Sequence, residues 1–204
     1  RFEDDPVSIF YQGVSDGFRQ GGVVAADFDS DGTVDLVMAG LRTDPNTFDN
    51  VRGASLFRNF LSEGPSGRLE EKPLSNAALC AGRDATMGLA AADLDNDGRI
   101  DLVLAGTDAD GNNRLIVLLN RFPEAWDVVE PLGKNRGLAQ SRVVVGDLDN
   151  DGDVDLVVSG LDEGRKKILV FQNTFANGPT PVVNEAPQPP TMATPASPDG
   201  TRVT

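Results

Sequence analysis

Aspartates recur in this chain at a spacing that suits a hard cation. One nine-residue stretch carries Asp27, Asp29, Asp31, Gly32 and Asp35. A second carries Asp93, Asp95, Asp97, Gly98 and Asp101, and a third Asp147, Asp149, Asp151, Gly152 and Asp155. Each stretch places carboxylates at positions 1, 3, 5 and 9 and glycine at position 6. Calcium takes six to eight oxygens at about 2.3–2.6 Å. Alternate residues of a tight loop turn their oxygens inward. The glycine takes the sharp turn, the carbonyl of position 7 adds a neutral oxygen, and the last aspartate can close the shell with both oxygens. Three copies of this pattern predict about three bound Ca2+ ions.

The residues that follow the loops exclude one calcium fold. An EF-hand needs a bidentate Glu at position 12 and a helix after it. Here position 12 is Met38, Leu104 or Val158. Short aliphatic runs follow instead, at 34–39, 100–105 and 154–159, and each ends at a glycine: Gly40, Gly106 and Gly160. Apolar runs also precede the loops, at 23–26, 89–92 and 143–146. Such runs read as buried strands, so each loop is expected to join a hairpin.

The repeat extends beyond the hairpin. A third apolar run covers 55–60, 116–122 and 169–175, with Asn59, Asn120 or Asn173 near its end and a Phe shortly after. A fourth element precedes the next loop at 68–75 and again at 126–132, and residues 1–8 match 68–75 almost position for position. Four strands per repeat make one blade of a β-propeller. Between loops the spacing is 66 residues (Asp27 to Asp93) and then 54 (Asp93 to Asp147). Both exceed a minimal blade of about 40–50 residues, and the excess is assigned to 42–53 and 61–67. The expected fold is all-β, with about three four-stranded antiparallel blades over residues 1–176 that form an incomplete propeller. The leading residues 2–8 align with the outer strand of a further blade, so the chain reads as a piece of something longer.

These residues resemble FG-GAP (VCBS-type) repeats, which build the calcium-binding propeller of integrin α subunits and of many bacterial secreted and surface proteins. The resemblance covers about residues 1–176 and is most specific in the three loops. It implies calcium ligands at loop positions 1, 3, 5 and 9 and at the carbonyl of position 7. In this chain those are Asp27, Asp29, Asp31, Thr33 and Asp35; Asp93, Asp95, Asp97, Arg99 and Asp101; and Asp147, Asp149, Asp151, Asp153 and Asp155. The family's Phe-Gly and Gly-Ala-Pro signatures are poorly kept, which fits its bacterial branch better than integrins.

Charge narrows the partners. Lys plus Arg number 18 against 32 Asp plus Glu, for a net charge of −14. Three dications would bring this to about −8. Phosphate binding needs a basic face, so nucleic acid is not an expected partner, nor is an anionic membrane surface. No apolar stretch is long enough for a transmembrane helix. The single Cys80 excludes an internal disulfide and reads as a small buried hydrophobe. Calcium loops of extracellular modules bind at about 10⁻⁴–10⁻³ M. They fill outside a cell and stay empty in a cytosol, so a secreted or cell-surface location is expected.

Catalysis lacks its residues. The chain has no histidine, which removes histidine-activated nucleophiles and the usual zinc sites. The close carboxylate pairs that a glycosidase uses lie inside the proposed calcium loops. Arg99 is the one basic residue within a loop and the one candidate base for calcium-assisted lyase chemistry. Asp108, Asp110, Gly111 and Asn113 could form half of a fourth cation loop, but read better as a hairpin turn. Trp126 and Tyr11 are the only Trp and Tyr, too few for the stacking platforms of a sugar-binding propeller, and Trp126 is expected in blade packing.

After residue 176 the composition changes. Residues 177–190 are Pro-rich and read as an extended linker. Residues 191–204 alternate apolar and polar around an Asp-Gly turn, which suggests the start of a fibronectin type III-like sandwich or a disordered tail. The function expected is a non-catalytic adhesion or protein-interaction scaffold. Its partners are a protein or glycan ligand and the remaining blades, from the parent chain or a second copy. An accessory propeller of a polysaccharide-degrading enzyme and a propeller lectin are the alternatives.

Overall fold

β-Branched and aliphatic runs separated by Asp-Gly turns fold here into strands. The computed structural model describes residues 18–43, 50–61, 68–74, 87–108, 110–123, 125–173 and 182–185. The expectations for residues 1–8, Tyr11, Cys80 and 191–204 lie outside these. The first sheet contains β1 (Arg19–Ala26), β2 (Asp35–Thr43), β3 (Asn50–Asn59) and β4 (Leu69–Pro73). The second contains β5 (Gly88–Ala92), β6 (Asp101–Thr107), β7 (Asn113–Asn120) and β8 (Trp126–Val129). The third contains β9 (Ala139–Gly146), β10 (Asp155–Asp162), β11 (Arg165–Gln172) and β12 (Val182–Glu185). Each sheet is an antiparallel meander in chain order, with the acidic loop between its first two strands. Among the described residues the fold is all-β, with three propeller-type blades that do not close a ring.

The blades stack face to face, with β1 against β5 and β5 against β9. One core lies between the first and second sheets, where Phe28, Val37 and Leu56 meet Leu102, Leu104, Ile116 and Leu118. Another lies between the second and third, where Val103, Leu115 and Val117 meet Leu156, Val158, Leu169 and Phe171. The central sheet is thus covered on both faces. That is why β6 and β7 read as continuous apolar runs and not as an alternation. Trp126 packs its ring on Phe28 of the first loop, centroids 6.2 Å apart, which is the expected blade packing.

Two boundaries differ from expectation. The second strands continue through Gly40, Gly106 and Gly160, to Thr43, Thr107 and Asp162. At Gly160 the β9–β10 register shifts between Ser159 and Leu161, and a Cβ there would lie 2.6 Å from the Ala139 carbonyl oxygen. This glycine marks an irregularity in the ladder where the neighbouring β9 backbone comes close, not a strand end. The segment read as a linker also contributes residues 182–185, which pair with β11 as the outer strand of the third sheet. Pro181 and Pro187 bracket this short stretch, and an edge strand tolerates flanking prolines because its outer N–H groups need no ladder partner.

Candidate metal centres

The loops owe their shape to two left-handed residues. Position 4 is Ser30, Asn96 or Asn150, with φ of 59°, 55° and 62°, and position 6 is Gly32, Gly98 or Gly152, with φ of 87°, 83° and 95°. Asn and Gly take this conformation at least cost, so the Asn-Asp-Gly sequence of the second and third loops is a local instruction to turn. The turned backbone aims its N–H groups at the first aspartate. Asp27 accepts from Asp31 at 3.1 Å and Gly32 at 3.0 Å. Asp93 accepts from Asp97 at 3.1 Å and Gly98 at 2.9 Å, and Asp147 from Asp151 and Gly152, each at 3.2 Å.

The ninth-position aspartates form the floor. Asp35, Asp101 and Asp155 are wholly buried. Each accepts two backbone N–H groups, one from position 2 of its own loop and one from the asparagine that ends the third strand. For Asp101 these are Leu94 at 2.8 Å and Asn120 at 2.7 Å. For Asp155 they are Leu148 at 2.8 Å and Asn173 at 2.7 Å, and for Asp35 Phe28 at 3.1 Å and Asn59 at 2.9 Å. An amide uses one lone pair of each oxygen and leaves another toward the loop.

Three carboxylates converge in every loop. Asp27, Asp29 and Asp35 bring one oxygen each within 4.8 Å of the others, as do Asp93, Asp95 and Asp101, and Asp147, Asp149 and Asp155. The fifth-position aspartates stand outside these groups. Asp31, Asp97 and Asp151 each accept the N–H of position 7, at 2.8, 2.9 and 2.9 Å. Of the residues at position 7, the Thr33 hydroxyl lies 2.6 Å from Asp31 Oδ1. The Arg99 guanidinium donates to the Asn120 carbonyl at 2.7 Å and pairs with Asp97. Asp153 accepts from Asn96 of the second loop at 2.5 Å, which ties the two loops together.

Crowded carboxylates raise one another's proton affinity and burial adds to it. Burial pushes the Asp101 carboxyl up to about 6, against the pull of its two amides and with a further push from Asp95 and Asp97. Burial also raises Asp35, and partial desolvation with the charges of Asp151 and Asp155 raises Asp149. The Thr33 hydroxyl and amide hold Asp31 below the usual range.

The donor set is all oxygen, which suits a hard cation and not zinc. One oxygen in the second loop bears on this fit. The Asp95 side chain is 4% exposed, and its Oδ1 is buried with no hydrogen-bond partner. A carboxylate oxygen in that state is costly unless a cation meets it. The residues present therefore fit calcium.

Some site residues were not legible beforehand. Arg58, Arg121 and Gln172 reach the third-position aspartates from strand ends. Asn120 donates to the Phe28 carbonyl of the preceding blade's loop at 2.7 Å and to Ile100 at 3.0 Å. Asn173 repeats this with Leu94 at 2.7 Å and Val154 at 3.0 Å. The recurring asparagine marks the repeat in the sequence, and that recurrence was the available signal for its bridging role. Asp108 serves the β6–β7 turn: it accepts from Asp110 and Asn112 at 3.0 and 2.8 Å and pairs with Arg114 at 3.3 Å.

The family model of the FG-GAP-like repeat matches residues 93–158. That span runs from the first aspartate of the second loop, across the second sheet and the third loop, into β10. No curated protein matches the chain.

Proposed function

With residues 93–158 an FG-GAP-like repeat, we propose that the chain is a calcium-binding, non-catalytic propeller module of a secreted or cell-surface protein. Its work is to present a rigid surface for adhesion or protein interaction. The observation that carries the calcium reading is the triple convergence of carboxylates, with the unpartnered Asp95 oxygen inside one of them.

Calcium neutralises charge that the fold has gathered. The first two loops hold four aspartates on nine residues and the third holds five, and their repulsion opposes the hairpin unless a dication bridges them. Weak sites of this class are filled at extracellular calcium, which supports the proposed location. Among the described residues no helix is long and apolar enough to cross a membrane. Arg99, the one candidate base, is bound to Asn120 and Asp97, which supports the non-catalytic reading.

The partners proposed are a protein or glycan ligand and further blades, from the parent chain or a second copy. Calorimetry on chelator-stripped protein tests the core of the reading. About three calcium ions per chain are expected, and a stoichiometry of zero or one overturns it.

A further inference from the structure

The third strand of each sheet ends beside an acidic loop, and the side chain it delivers there differs from blade to blade. In the first blade Arg58 places its Nε on Asp29 Oδ2, with its other end 3.6 Å from Glu70. In the second, Arg121 stands 2.7 Å from Asp95 Oδ2 and 2.6 Å from Asp97 Oδ2, and Arg99 also pairs with Asp97. In the third, the place of Arg58 is taken by Gln172, whose neutral amide donates to Asp149 Oδ2 at 2.9 Å. Both Arg58 and Gln172 directly precede the recurring asparagine, so the two are in the same register. Among the described residues no Lys or Arg forms an ion pair with Asp147, Asp149, Asp151 or Asp155. The third loop also carries a fifth carboxylate, Asp153.

We infer that Arg58 and Arg121 are tethered counter-cations that compete with calcium at the first and second loops, so that the three loops fill in graded order, the third first and the second last. The inference rests on the calcium reading above. Its chemistry is charge count at a fixed ligand geometry. The three loops share the same aspartate positions, so their affinities differ through the charges around them. The first loop faces one guanidinium and the second faces two. A positive charge about 6 Å from a dication lowers its affinity about ten-fold, even in a water-like dielectric. The same arginines relieve carboxylate repulsion when calcium is absent. The first two loops thus keep an internal substitute for the ion, and the third depends on calcium itself.

The test exchanges the two equivalent residues. Chelator-stripped protein is titrated with calcium by calorimetry at low ionic strength, where surface charges are least screened. One tight equivalent and two weaker ones are expected. Gln172→Arg should weaken the tight equivalent about ten-fold, and Arg58→Gln should tighten a weaker one by a similar factor. Arg121→Gln should do the same at the second loop. Should the added arginine compromise folding, the two variants that remove one still decide the matter. A second readout separates this role from packing: Arg121→Gln should lower the melting temperature in EDTA and leave it unchanged in saturating calcium. Three indistinguishable sites that these variants do not shift would overturn the counter-cation inference and leave calcium binding intact. Absence of any calcium heat would overturn the calcium reading itself.

Discussion

The second and third sheets both carry apolar residues at matching far-face positions, yet those faces live in different surroundings. Leu115 on β7 is 1% exposed and its counterpart Ile168 on β11 is 51% exposed. Ala90 and Val144 stand at 7% and 64%, and Leu94 and Leu148, both at loop position 2, at 6% and 52%. The strand register is the same, Ala105 opposite Leu115 and Ser159 opposite Ile168. The difference is the neighbour. A third sheet covers the far face of the second, and no described element covers the far face of the third. The bridging asparagine follows the same rule: Phe28 and Leu94 each receive an amide from the next blade, and the matching Leu148 carbonyl receives none from a described residue. A blade of this type is built to be sandwiched, and the third sheet keeps apolar residues at these positions although no described element covers them.

The largest effect expected from this comparison is in the core. Leu115→Ala should cost about 2–5 kcal/mol in a denaturant melt, because it empties a closed interface. The counterpart Ile168→Ala should stay within about 0.5 kcal/mol. Equal losses would mean that the third sheet's face is covered in solution, and sedimentation would then show association.

Calcium removal comes next. At about 1 mM calcium, sites of about 0.1–1 mM affinity contribute about 1–4 kcal/mol in total by mass action. EDTA should therefore lower the melting temperature. Asp97→Ala and Asp151→Ala should each matter in calcium and matter less in EDTA. Equal losses in both conditions would assign these carboxylates to packing.

A pH effect should appear in the metal-free protein. The folded Asp101 carboxyl, raised to about 6 by burial, binds its proton more tightly than in the unfolded chain. Its penalty is absent below about pH 4, grows as pH rises through 4 to 6, and is complete above, amounting to about 1–3 kcal/mol. Urea melts in EDTA should show stability falling across that window. Asp101→Asn should remove the dependence, and saturating calcium should suppress it. A flat profile in EDTA would mean that Asp101 is better solvated than its position implies.

The smallest effect concerns the bridge between blades. Asn120→Ala leaves the buried Phe28 carbonyl and the part-buried Ile100 carbonyl without their donor and should cost about 1–3 kcal/mol. Asn59, whose side-chain amide has a described partner only within its own blade, the Val34 carbonyl, should cost about 1 kcal/mol less. A chemical-denaturation series on the two variants measures the gap, and no gap would remove the bridge from the energetics.

Everything set by near neighbours was legible in the chain. The Asn-Asp-Gly turns, the aspartates at alternate positions and the flanking apolar runs are local, so spacing alone predicted acidic hairpins, four-strand blades and an unclosed propeller. Tertiary structure decided the rest. Gly160 looked like a strand end because nothing local announces that the ladder with β9 shifts and closes in there. Residues 182–185 looked like linker because their proline-rich flanks conceal an edge that β11 leaves open. Electrostatics around each loop was equally hidden. Arg58 meets Asp29 across 29 residues, and the asparagine bridges span 92 and 79. Such contacts depend on strand pairing and blade stacking, which bring distant residues together. The acidic pattern was therefore written in the sequence, and the basic side chains that pair with it appeared only in the fold.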